Sequence, residues 1–309
     1  MHSFKRGLAA LATVGALSAA GSANAAFLLD DWQIDFGNAA LGITGGGTVG
    51  GTSATSGIDF IGFNDSPLNV TYHDSDGTPG FSVGDTYTVL TKGVASSFGD
   101  TVSGVVPAPL LNVNGFFGGF EGYELTYSAS LTIRVTGGTA ATPIWTHVAN
   151  PADYLDFYID DLGDLTKANP GTGAGYTDGV KVLTFTSVAG DGGSANVAGT
   201  LDGSDDATFI LTDVWVAGVF KTLGGQELTP GLTIGLVDSN FDLDSNNNGA
   251  LDETRGGFGC TAGNQTLTFF CGVEDGTFRL ATAVPAPATL GLLGAGLLGL
   301  AAAGRRRKV

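Results

Sequence analysis

The residues whose types and spacing best fit a chemical task are Asp244-Ser245-Asn246-Asn247-Asn248-Gly249-Ala250-Leu251-Asp252. They read D-x-N-x-N-G-x-x-D, the first nine positions of a calcium loop of the EF-hand type. In such a loop the chain wraps around the ion, so the side-chain oxygens of Asp244, Asn246 and Asn248 converge on one point. Gly249 allows the sharp turn, the carbonyl of Ala250 follows, and Asp252 completes the set. Oxygen-only ligands favour the hard cation Ca2+, here in a structural role. Position twelve holds Arg255 where a bidentate Glu belongs, and no helical pattern flanks the loop. Asp242 or Glu253 would then supply the missing carboxylate. The alternative is a turn between strands, because Asn, Asp and Gly also make tight turns. Asp74-Ser75-Asp76-Gly77 and Asp202-Gly203-Ser204-Asp205-Asp206 are thinner versions, read as turns.

Other chemistry has less support. The histidines are His2, His73 and His147, and none lies in a nucleophile elbow or a zinc-binding helix. Asp153, Asp156, Asp160, Asp161 and Asp164 can include a glycosidase pair, which needs two carboxyls about 5–10 Å apart. With 30 acidic residues in the chain that observation discriminates little. Trp145, Trp215, Tyr154 and Tyr158 can stack on sugar rings or fill a core. The expected function is therefore not enzymatic.

The elements that must position these groups read as strands. Tyr123 to Val135 (YELTYSASLTIRV) alternates strictly, with Leu125, Tyr127, Ala129, Leu131, Ile133 and Val135 on one face. Trp32–Phe36, Ile58–Phe63, Asn69–Tyr72, Phe81–Thr91, Val94–Phe98, Tyr154–Ile159 and Val180–Val188 follow the same logic. So do Ala207–Thr212, Val214–Phe220, Leu232–Val237, Gln265–Cys271 and Thr277–Ala281. Gly, Asn and Asp turns separate them, and no fixed-period repeat appears. The fold class is all-β, an antiparallel β-sandwich or jelly roll. Residues 42–57 and 166–179 read as long Gly-rich loops.

Both ends carry addresses. Residues 1–25 combine Lys5 and Arg6, an apolar run from Gly7 to Ala20, and an Ala23-Asn24-Ala25 cleavage site, the pattern of a signal peptide. The exported domain spans 26–283. Six of the 13 basic residues lie in the two ends, so the domain keeps seven against 30 acidic ones. Such a surface repels nucleic acid and suits divalent cations or basic partners. The only two cysteines, Cys260 and Cys271, fall in this oxidising context and predict one small disulfide loop.

Residues 284–309 form the last segment. Val284-Pro285-Ala286-Pro287 is a stiff spacer, Thr289 to Gly304 is uncharged and apolar, and Arg305-Arg306-Arg307-Lys308 closes the chain. The apolar run lies at the short end of what spans a bilayer as a helix, with the basic cluster on the cytoplasmic side. This order resembles the PEP-CTERM sorting signal of Gram-negative exopolysaccharide-producing bacteria, with Ala286 where the family's Val-Pro-Glu-Pro motif has Glu. The same tail is also labelled an ice-binding-protein C-terminus, a name that describes the tail and not ice binding. An ordinary tail anchor is the alternative. The resemblance implies recognition by an exosortase near Pro285-Ala286-Pro287, transient anchoring in the inner membrane, and release to the cell surface or matrix.

More broadly, an opening Trp-x-Ile-Asp-Phe-Gly stretch and a Gly-rich acidic β body are similar to flocculation-associated members of that group. The expected function is a non-enzymatic surface or exopolysaccharide-matrix protein acting in aggregation or biofilm formation, with exopolysaccharide as a partner. A secreted hydrolase or carbohydrate-binding module acting on polysaccharide is the competing reading.

Overall fold

A computed structural model of the chain describes residues 26–29, 31–42, 54–78, 81–100, 104–105, 123–161, 167–197, 201–244 and 250–284. The expected signal peptide with Ala23 and Ala25, the ligands Asn246 and Asn248, and the tail with Pro285, Ala286, Pro287, Arg305, Arg306 and Arg307 lie outside these residues. One compact unit runs from Leu29 to Ala281. The second consists of the two ends, of which the described parts are Ala26–Leu28 in β1 (Ala26–Leu29) and Thr282–Val284 at the end of the last strand. Among the described residues no helix is long and apolar enough to cross a membrane.

Within the main unit, period-two sequences build long antiparallel strands. β4 (Phe60–His73) pairs β5 (Thr86–Asp100), and β5 pairs β7 (Tyr123–Gly138) and, at its end, the two-residue β6 (Gly104–Val105). β7 then carries two partners end to end. Its second half pairs β8 (Pro143–His147) and its first half pairs β9 (Tyr154–Asp161). Likewise β12 (Asp202–Val214) pairs β11 (Gly192–Asn196) near its start and β10 (Val180–Ser187) near its end. β8 pairs β11 and β9 pairs β10, so β8 with β9 and β10 with β11 act as two broken strands. β12 continues to β14 (Thr233–Asp242), β14 to β15 (Phe269–Val284), and β15 returns to β4.

The path thus closes as an up-and-down ring of eight strands, counting each broken pair as one. The expected all-β, antiparallel architecture is present. The order differs from a jelly roll, because neighbours in the ring follow one another along the chain and no Greek-key crossing intervenes. A closed barrel of this size is just wide enough for side chains to fill it or to admit one small ligand.

The strand breaks are held by side chains. At the β8–β9 break, Asp153 accepts Thr132 N at 2.9 Å, Thr132 Oγ1 at 2.8 Å and Ser187 Oγ at 2.8 Å. A carboxylate there replaces the ladder carbonyl that the interruption removes, which keeps buried donors paired.

The interior contains two apolar clusters, one in each half of the ring. The larger gathers Ile61, Phe63, Phe98, Leu125, Tyr127, Phe157, Phe185, Phe209 and Phe278. A small sheet of β2 (Trp32–Asp35), β3 (Ala54–Ile58) and β13 (Phe220–Thr222) adds Trp32, Ile34, Phe36 and Phe220 to it. The second cluster holds Leu68, Val70, Tyr87, Ile133, Val135, Trp145, Leu243 and Phe270. Gly93 on β5 marks the level between them. A Cβ there would run into the Tyr127 ring and the Ser66 hydroxyl.

Several expected boundaries shift. The expected Phe81–Thr91 strand begins only at Thr86, and from there it forms one strand with Val94–Phe98, β5, paired to β4. Asp202–Asp206 is the start of β12 and not a turn. Val214–Phe220 is not a strand, since β12 ends at Val214 and Trp215 lies beyond it.

Candidate functional site

Between the two apolar clusters runs a polar layer. Glu274 on β15 shares the inward parity of Phe270, Phe278 and Leu280, and its Oε1 accepts Tyr127 Oη at 2.7 Å and Thr91 Oγ1 at 2.5 Å. Its Oε2 has no hydrogen-bond partner among the described residues. Burial raises the Glu274 carboxyl above the ordinary carboxylate range, and the Asp205 charge adds to this.

Two strands round the ring, Asp205 follows the inward parity of Ala207, Phe209 and Leu211 on β12. It accepts Trp145 Nε1 at 2.7 Å and binds His147 Nε2 at 2.8 Å. His147 is 1 % exposed. Burial opposes its charge, but the Asp205 hydrogen bond and the charges of Asp205, Asp191 and Asp153 outweigh it and hold the imidazole above its ordinary value.

Thr91, Asp205 and Glu274 each border two cavities. One of about 80 Å³ lies in the second cluster, among Val70, Tyr87, Ile133, Trp145, Phe241 and Phe270. The other, about 50 Å³, lies among Phe63, Tyr127, Leu155, Phe157 and Phe209. Two carboxyl groups lining the same spaces are a hydrolase-like combination, but these spaces fall well below the roughly 300–1,000 Å³ of ordinary ligand pockets. His147 Nδ1 has no hydrogen-bond partner, so no serine completes a triad with it among the described residues. His73 pairs with Thr88 Oγ1 at 2.9 Å in an exposed position.

The expected calcium loop is described only at its flanks. Asp244 is buried, and its backbone N–H donates to Asp242 Oδ1 at 2.7 Å. Ala250 is exposed and Asp252 half-buried. Glu253 accepts Thr254 N, Arg255 N and the Arg255 guanidinium, the last at 2.9 Å. Arg255 also reaches Asp65 at 3.3 Å. The residue at the twelfth loop position therefore occupies one of the carboxylates that would replace the missing Glu.

Asp74, Asp76 and Asp85 bring carboxylate oxygens within 4.8 Å of one another at the β4–β5 hairpin. Asp85 is fully buried and accepts Tyr72 Oη, Ser75 N and Oγ, and Ser82 N and Oγ. Asp74 and Asp76 accept backbone N–H groups of the same turn. Their oxygens serve the turn itself.

The four candidate stacking residues separate. Trp145 is 8 % exposed and belongs to the interior, so stacking on a sugar is closed to it. Tyr154 and Tyr158 are half-buried on the outer face of β9, and Trp215 is 59 % exposed. Cys260 and Cys271 are joined in a disulfide. Of the interior layer, the sequence reading singled out His147 but neither Glu274 nor the pairing with Asp205.

No curated protein and no solved structure matches the chain. A family model does match at the C-terminus: residues 283–308 fit the PEP-CTERM protein-sorting motif, which marks the chain as an exported, exosortase-sorted surface protein.

Proposed function

We propose that the protein is delivered to the cell surface or exopolysaccharide matrix and acts there without catalysis, in aggregation, flocculation or biofilm formation. The observation that carries this reading is the sorting motif at 283–308, joined to a strongly acidic body whose interior carboxyls line only small cavities. The C-terminal segment anchors the chain in the inner membrane until exosortase acts.

The test compares cells with and without active exosortase. The mature species should lack both the first 25 residues and the Arg-rich tail, and should reach the matrix only when exosortase works. A deletion strain should then flocculate less. Retention of the tail and an unchanged inner-membrane location in both strains would overturn the proposal. The hydrolase reading rests on Glu274 and Asp205 lining the same cavities, and it requires that Glu274→Gln abolish a polysaccharide-degrading activity of the purified chain.

A further inference from the structure

Trp215 is the only one of the three tryptophans held in water, since Trp32 and Trp145 are 1 % and 8 % exposed. It is nevertheless fixed in place. Its Nε1 donates to Thr184 Oγ1 at 2.9 Å, and Thr184 Oγ1 donates to Asp156 Oδ1 at 2.5 Å. The other Asp156 oxygen takes Lys181 Nζ at 2.5 Å and Tyr158 Oη at 3.3 Å. The Lys181 ammonium lies 5.7 Å from the ring centroids of both Trp215 and Tyr158.

These residues share the outer face of β9, β10 and the end of β12. Tyr158 stands opposite Lys181, and Asp156 opposite Thr184. Leu155, Phe157, Ile159 and Phe185 point the other way, into the core. The polar atoms of the group satisfy one another, so what remains for solvent is a wide apolar ring and the free N–H bonds of a lysine. An exposed indole in water is costly in apolar area. One already immobilised loses little further freedom when something stacks on it.

We propose that this face binds a neutral pyranoside chain, with Trp215 as the stacking platform, Tyr158 as a flanking ring and Lys181 as donor to ring hydroxyls. One face of a pyranose is a patch of C–H bonds that covers an indole, and its hydroxyl rim needs polar partners beside that ring. A neutral sugar fits better than an anionic one. The chain carries a net charge of −17, and Asp156 already compensates Lys181. The inference rests on the surface-protein reading by naming the polymer class met there, but it is tested on purified protein, apart from any sorting.

The experiment titrates the full chain with cellohexaose, mannohexaose and dextran as neutral probes and polygalacturonate as the anionic one. Binding and acrylamide quenching of tryptophan emission are both followed. A neutral probe should bind and shield the emission from quenching. Trp215→Ala should weaken binding at least tenfold, Trp215→Phe should retain part of it, and thermal melts should confirm that both variants fold. Three results overturn the proposal: no neutral probe binds, Trp215→Ala binds like the parent, or only polygalacturonate binds and its binding depends on Lys181 but not on Trp215. None of these touches the question of where the protein is delivered.

Discussion

Tyr127 Oη donates to Glu274 Oε1 across 2.7 Å, at the level where the barrel interior changes from one apolar cluster to the other. The bond joins two groups that burial shifts upward, the Glu274 carboxyl above the ordinary carboxylate range and the Tyr127 phenol well above its own ordinary value. Glu274 titrates upward from its ordinary 4.5, so between that value and its folded one the native chain keeps a proton that the unfolded chain releases. Its contribution to stability is complete below about pH 4.5 and is lost as pH rises through the folded value. Glu274→Gln keeps an oxygen acceptor for Tyr127 and Thr91 but cannot ionise. Urea melts from pH 4 to 9 should show a flatter profile for this variant and higher stability than the parent at pH 8.

Asp205 gives a second pH effect, coupled to the first because its charge also raises Glu274. The His147 imidazole is held above 6.5, so its contribution is full below about pH 6.5 and fades as pH rises through the folded value. Asp205→Asn removes the charge that holds it there and disturbs the acceptor of Trp145 Nε1. The expected cost is about 3 kcal/mol below pH 6, with that part of the pH dependence lost and a shift in Trp145 emission. Chemical denaturation followed by fluorescence measures all three.

Gly93→Ala should destabilise the chain by about 1–3 kcal/mol, because the added methyl meets the Tyr127 ring and Ser66. A double-mutant cycle with Tyr127→Ala checks the cause. The penalty should shrink once the ring is gone.

Reduction of the Cys260–Cys271 bridge, 11 residues apart in sequence, opens a short loop and should cost about 2–3 kcal/mol. Melting with and without a thiol reductant, with Cys260→Ala/Cys271→Ala alongside, measures it.

We propose calcium at the loop from Asp244 to Asp252 on its spacing alone. Affinity should lie in the weak extracellular range, on the order of 10⁻⁴–10⁻³ M. Millimolar CaCl2 should then raise the melting temperature over that in chelator, and Asp244→Asn with Asp252→Asn should abolish the rise. An unchanged melt would leave the segment as a turn.

The strand content was legible because half-buried strands write their faces into the sequence as alternation, as Tyr123–Val135 does. How the strands meet was not, since alternation specifies faces and says nothing of partners. The two broken strands hid in short or Gly-rich pieces. Pro143–His147 and Gly192–Asn196 are five residues each, too brief for a period to show.

Asp205 and Glu274 escaped for a different reason. An acid in a strand usually faces water, and only extending the parity of Phe209 or Phe278 past the apolar run places them inside. Asp202–Asp206 looked like a turn because its composition is that of one, and its pairing with β14 overrode that composition. Trp215 was expected within a strand, and it gains its exposure by lying just past the end of β12.

The closure of the ring bears on how such a protein behaves at high density. An open sheet presents a row of unpaired N–H and C=O groups onto which a second chain can add a strand, and crowded copies then polymerise. In this ring every strand has a neighbour on both sides, so its backbone offers no such template. Copies concentrated at a surface would be spared fibre growth along the ring, and any cohesion they lend to cells must pass through side chains on the outer faces.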